Sequence, residues 1–309
     1  MLAWTSSKHC EPGQSIATLS LPSLDFHRLW RGALVLCCVF LTTCSAPGYV
    51  DTVLFVVTYN REHGEVTAEP AVEIIRGRLG EPQASGEFVK TYLTNRIYPL
   101  YQQGHLIGRL QVEGLMPAGC SALQTAAQVQ ITGPLLTTAF NHEGSTFLLA
   151  SASLLPAPAA PLAQLGADDR DLLRRAGLAQ LRELGVSETT LRAAVLTDAA
   201  RFTLDGRPVL AGTVSVLADA VATPGASAFV MLERAESGWH TAYLSRNRFR
   251  DIYGNDFDGQ VFREAVDLDR DGVPELLLER IGNETYQYQI LKHEGGAWRV
   301  LYTGGGGGC

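Results

Sequence analysis

Four carboxylates crowd around one glycine in the run Asp267-Leu268-Asp269-Arg270-Asp271-Gly272-Val273-Pro274-Glu275. Alternate aspartates in a tight turn direct their oxygens inward, and a donor set made only of oxygen, without imidazole or thiolate, suits a hard cation such as Ca²⁺. Four clustered negative charges also call for a counter-ion. Asp271-Gly272 is a turn signal, and the glycine stands where the chain must bend sharply. The expected ligands are Asp267, Asp269, Asp271 and Glu275. The plainer alternative is a solvated acidic turn between strands.

The spacing separates this run from an EF-hand loop, which needs a bidentate Glu at its twelfth position; counted from Asp267, that position is Leu278. The acid stands at Glu275 instead, and the apolar run Leu276-Leu277-Leu278 follows at once. Pro274 and that run describe a loop feeding a buried strand, not a loop between two helices. In its D-x-D-x-D-G-x-x-E order the run resembles the calcium loops of the FG-GAP and VCBS repeat families, found in β-propeller-like bacterial surface proteins. The resemblance covers only about a dozen residues. It implies a calcium loop and its flanking strands, and two such units are too few to close a propeller.

Other chemistry is sparse. A second acidic cluster, Asp251, Asn255, Asp256 and Asp258, either adds ligands to the same ion or forms an Asx-rich loop between Gly254 and Gly259. There is no Gly-x-Ser-x-Gly, no His-Glu-x-x-His and no phosphate loop followed by Lys-Ser/Thr. A hydrolase site assembled from dispersed residues would start from His142-Glu143, Glu264 or His240. Trp239, Trp298, Tyr243 and Tyr302 either form a sugar-stacking surface or, as their strand spacing suggests, pack as core and cross-strand partners. The net charge of -7 and the lack of a Lys/Arg block argue against nucleic acid as a partner.

The elements that must carry these residues begin with a targeting signal. The apolar stretch 32–43 follows His27, Arg28 and Arg31 and is too short to span a bilayer comfortably. With Leu41-Thr42-Thr43-Cys44 it resembles a secretory signal ending in a bacterial lipobox, which makes residues 1–44 a leader and Cys44 the lipidated residue. Thr43 departs from the Gly, Ala or Ser usual before that cysteine. The alternative is a buried N-terminal helix or a signal anchor. Of the six cysteines, Cys120 and Cys309 would remain as free candidates, and in an oxidising compartment they either pair or stay separate.

The expected fold is α+β and mainly β. Short runs rich in Val, Ile, Leu, Phe and Thr give a β-rich region over 45–153, with strands at 53–59, 71–75, 106–112 and 146–152. A Pro/Ala linker over 154–165 separates it from an α+β region at 166–309. There, 168–184 reads as an amphipathic helix stopped by Gly185, and Ser187 caps a second short helix reaching Leu196. Two loop-strand-hairpin units follow, at 201–243 and 267–302, matched through Asp205-Gly206 with Asp271-Gly272, Phe229 with Tyr288, and Trp239 with Trp298. In the first unit the ligand positions fall on Arg201, Thr203, Asp205 and Val209, so only the second should hold an ion. Gly304–Gly308 reads as a flexible tail. The whole describes an exported, lipid-anchored envelope protein with one structural Ca²⁺ and an unidentified protein or carbohydrate partner, a ligand-free structural lipoprotein, or a secreted hydrolase.

Overall fold

The computed structural model describes residues 48–60, 63–116, 123–133, 145–156, 165–216, 225–248, 259–282 and 285–308. Cys44, Cys120, Cys309, the leader, the cluster at 251–258 and His142-Glu143 lie outside them. In chain order the elements are β1 Thr52–Asn60, β2 Glu65–Ile75, β3 Arg78–Gly80, α1 Gly86–Tyr92, β4 Arg96–Gln102, β5 His105–Leu115, β6 Thr125–Ile131 and β7 Ser145–Ser151. There follow α2 Ala167–Glu183, α3 Glu188–Leu191, β8 Val195–Leu204, β9 Arg207–Val216, β10 Ala226–Ala235 and β11 Gly238–Arg248. The last four are β12 Gly259–Val266, β13 Glu275–Ile281, β14 Thr285–Glu294 and β15 Ala297–Gly308. The fold is mainly β with three helices among the described residues, as the apolar patterning predicts.

The first seven strands build an antiparallel sheet in the order β1-β7-β4-β5-β6-β2-β3, and the pairing of β1 with β2 closes six of them into a barrel. Period-two alternation divides its side chains. Val53, Phe55 and Val57 of β1 point inward with Leu100, Leu110 and Leu148, and Phe88 of α1 packs into the same cluster. Leu54 and Val56 point outward.

The chain then makes two four-stranded meanders, β8-β9-β10-β11 and β12-β13-β14-β15 in sequence order. Each unit therefore has one strand more than expected, β8 or β12, ahead of the glycine turn. The matched residues occupy equal places: Phe229 and Tyr288 are fourth in their strands, Trp239 and Trp298 second, Tyr243 and Tyr302 sixth. Their faces correspond too. Phe229 packs toward the second meander and Tyr288 toward the barrel, while Trp239 turns to the α2 side and Trp298 to the first meander. The two sheets thus stack in the same sense, one layer behind the other.

The layers run helix, first meander, second meander, barrel. Leu173 and Leu181 of α2 pack on Leu210, Val214 and Val230. Phe202, Phe229 and Met231 meet Phe262, Leu276, Leu278 and Trp298. Leu277, Ile290 and Tyr302 meet Leu54, Val72 and Ile74 of the barrel. Residues 45–309 form one compact unit, and the segments on either side of the Pro/Ala stretch share this last core. The second short helix ends at Leu191, because Val195 and Leu196 already pair with Ser215 and Val214.

Residues 304–308 correct the expectation of a tail. They extend β15 along β14, and the Tyr302 hydroxyl donates to the carbonyl of Ala71 in the barrel at 3.0 Å. The glycines are required by space: a Cβ on Gly305 would stand 2.4 Å from the Ala71 carbonyl oxygen, and one on Gly306 2.2 Å from that of Tyr286. Both residues also have positive φ.

A bulge in β12 sets the charged seam between barrel and second meander. The register slips between Phe262 and Glu264, leaving Arg263 unpaired in the ladder, so that Arg263 and Glu264 both turn to the barrel side. Arg263 pairs with Glu279 at 2.6 Å, approaches Asp198 at 3.7 Å and lies 3.7 Å over the ring of Phe147. Glu264 accepts the backbone N–H of Gln103 at 2.7 Å, in the β4–β5 turn, and that of Ala265 at 3.0 Å.

Candidate metal centre

The acidic run forms the connection between β12 and β13, and β13 is the buried strand that Leu276-Leu277-Leu278 announces. The equivalent connection in the first meander is the two-residue turn Asp205-Gly206, both with positive φ, the geometry of a tight hairpin. Arg201 and Thr203 are strand residues there, and Arg201 pairs with Asp169 of α2 at 2.7 Å. Only the second connection is long enough to wrap an ion.

Within it, backbone N–H groups fix one oxygen of each acid. Gly272 donates to Asp267 Oδ2 at 3.1 Å and Asp271 to Asp269 Oδ1 at 3.3 Å. Val273 donates to Asp271 Oδ1 at 2.7 Å, and Leu268 to Glu275 Oε2 at 2.7 Å. Arg270 and Gly272 have positive φ, which curls the chain over its own side chains. Asp267, Asp269 and Glu275 each offer one carboxylate oxygen within 4.8 Å of those of the others. Oxygens around a single Ca²⁺ at about 2.4 Å lie at most about 4.8 Å apart, so this triad can hold a metal ion. Asp271 sits at the exposed rim.

A lysine that sequence reasoning missed meets these oxygens. Lys292 of β14 is 6% exposed and directs its ammonium to Asp269 Oδ2, to Asp271 Oδ2 at 3.0 Å and to Glu275 Oε1 at 3.0 Å. Asp267 takes no part. Its Oδ1 is buried and without a hydrogen-bond partner, although a buried carboxylate oxygen ordinarily has one. The signal for Lys292 was a lone charge directly after the apolar pair Ile290-Leu291 in a strand. The N-terminal segment was missed as well: Gly48 and Val50 donate to the carbonyls of Asp269 and Leu268, both at 2.9 Å, which lays Tyr49 beside the loop.

Burial governs the titration here. It pushes Glu275 up to about 7, against the lowering effect of the Leu268 N–H and Lys292. It also raises Asp267, which the Gly272 N–H opposes. For Lys292 burial acts downward, yet the three carboxylates outweigh it and hold its pKa above the usual lysine range. Burial, with Glu275 adding to it, lifts the Tyr49 phenol to about 12.

The other candidates have ordinary roles. Trp298 is buried, edge-on to Phe202, and Tyr302 is buried with its hydroxyl spent on Ala71. Tyr243 packs edge-on to Phe229, and Trp239 is half-buried beneath Arg234. These four do not make one exposed aromatic face. Glu264 is buried and its carboxylate is taken up by backbone N–H groups, while His240 is exposed. No helix among the described residues is long and apolar enough to cross a membrane. Comparison with models of known families, with curated proteins and with solved structures finds no match for this chain.

Proposed function

We propose that the β12–β13 loop is a structural Ca²⁺ site in an exported, lipid-anchored bacterial protein that works as a surface binding or interaction module. The observation that carries the metal is Asp267 Oδ1, a buried oxygen with no hydrogen-bond partner, on a residue that also offers a ligand atom within 4.8 Å of those of Asp269 and Glu275. Asp267, Asp269 and Glu275 would hold the ion, with Asp271 at the rim. A hard divalent cation would neutralise acids that burial otherwise pushes toward protonation, and would fix the loop against β13. The FG-GAP and VCBS resemblance of the loop supports calcium over other divalent ions. The leader and its lipobox-like end at Cys44 support export and anchoring, and a calcium-rich exterior suits a site with a dissociation constant of about 10⁻⁴ to 10⁻³ M.

Thermal unfolding and calorimetry with calcium and with chelator test the metal. At a calcium concentration about a hundredfold above the dissociation constant, stabilisation should reach about 2.7 kcal/mol. An unchanged midpoint together with no heat of binding would rule the ion out. Labelling cells with a fatty-acid analogue tests the anchor, and equal incorporation by wild type and Cys44→Ala would exclude it. The second reading is a structural envelope protein without a ligand, and Lys292 is the observation that favours it, since its ammonium supplies one counter-charge from within the chain.

A further inference from the structure

We propose that Lys292 is a built-in competitor of the metal: its ammonium and a divalent cation claim the same oxygens, so the lysine sets both the strength and the selectivity of the site. The inference rests on the metal reading above and goes beyond it.

The geometry makes the competition direct. The ammonium has three N–H donors, and they reach Asp269 Oδ2, Asp271 Oδ2 and Glu275 Oε1. Asp269 and Glu275 belong to the triad whose ligand atoms lie within 4.8 Å of one another. Each has its other oxygen committed to a backbone N–H of the loop. An ion that bonds the oxygens held by Lys292 Nζ competes with it for them, because two cations in contact with the same oxygens repel each other in a site screened from water.

The charge balance favours a divalent winner. One ammonium faces four carboxylates, and Asp267 receives nothing from it. A sodium or potassium ion brings no more charge than the ammonium it would displace. A divalent ion brings twice as much and supplies the partner that Asp267 Oδ1 lacks. The lysine thereby rejects monovalent ions and weakens divalent binding by the free energy of its own ion pairs.

The displaced side chain has a place to go. Its Nζ lies 5.6 Å from the ring of Tyr49, and Glu294, exposed two residues further along β14, stands on the same face of the strand. The residue type matters too. Only three of the 25 basic residues are lysines, Lys8, Lys90 and Lys292, and the rest are arginine. A guanidinium would grip the carboxylates through a rigid fork, whereas an ammonium on a flexible stem lets go more readily.

Calorimetric titration of the full chain with CaCl₂ tests this in wild type, Lys292→Met and Lys292→Arg. Lys292→Met should bind calcium roughly 10- to 100-fold more tightly than wild type, and Lys292→Arg no more tightly than wild type. A second measurement needs no variant: acylation of lysine amines in the wild type, read peptide by peptide, with exposed Lys90 as internal reference. Calcium should raise the labelling of Lys292 relative to Lys90. Equal or weaker affinity in Lys292→Met overturns the proposal, as does calcium binding that leaves Lys292 labelling unchanged. If the methionine variant does not fold, the labelling alone decides. Absence of calcium heat in all three proteins, with labelling unaffected, refutes the metal reading itself and is a distinct result.

Discussion

Replacing Glu264 by glutamine should change how stability responds to pH. The carboxyl is 3% exposed and burial pushes its pKa up to about 7 from an ordinary 4.5, although the N–H groups of Ala265, Gln103 and Gly104 pull the other way. A raised carboxyl pKa means that the folded protein binds more protons than the unfolded chain between those two values. Its contribution is therefore greatest below about pH 4.5, falls as pH rises through the window, and levels off above about 7. At 1.36 kcal/mol per pH unit the full swing is about 3 kcal/mol, of which roughly 2 kcal/mol falls between pH 5 and 8. Glutamine is a neutral replica of the protonated acid. Urea unfolding of wild type and Glu264→Gln at pH 5 and at pH 8, both in excess chelator, isolates the term, because Glu275 and the other titrating groups are common to both proteins. The variant should gain roughly 2 kcal/mol on wild type between the two pH values. A difference independent of pH would show that Glu264 stays ionised in the folded protein, and that its three N–H contacts outweigh burial.

Three further outcomes follow from the packing. Gly306→Ala should destabilise by about 1–3 kcal/mol in thermal or urea unfolding, because its Cβ would collide with a backbone carbonyl at positive φ; Gly86→Ala, with nothing within 4 Å, should stay within about 0.5 kcal/mol. Arg263→Met should cost about 3–5 kcal/mol by leaving Asp198 and Glu279 without their guanidinium, and a loss under about 1 kcal/mol would mean the seam repacks without it. Tyr302→Phe should cost about 1 kcal/mol by freeing the Ala71 carbonyl in the core, again by urea unfolding.

The strands at the start of the chain were legible because Val53–Val57 is an unbroken apolar run, as a strand buried on both faces needs, and Gly108–Val112 alternates with the period of two of a strand buried on one face. The loop was legible because ligand chemistry is local, with its acids and its glycine inside nine residues. What the sequence hid is long-range. Lys292 reaches Asp269 and Glu275 only because β14 runs beside β13, a pairing that no spacing announces. Closure of the barrel depends on β1 meeting β2 and β7 together, and neither partner is written in β1. The glycine run was misread for a related reason: a residue without a side chain looks like a linker, yet the same lack of bulk is what close backbone contact requires.

The place of β15 has a consequence for biosynthesis. Its Gly305 is wedged against Ala71 of β2, laid down more than two hundred residues earlier, and Val50, ahead of β1, is bonded to Leu268. The part of the barrel's outer face that β15 covers therefore stays uncovered until 297–308 have emerged. Folding cannot be completed progressively as the chain is made, and partly synthesised chains expose the apolar outer wall of the barrel until the last strand covers it.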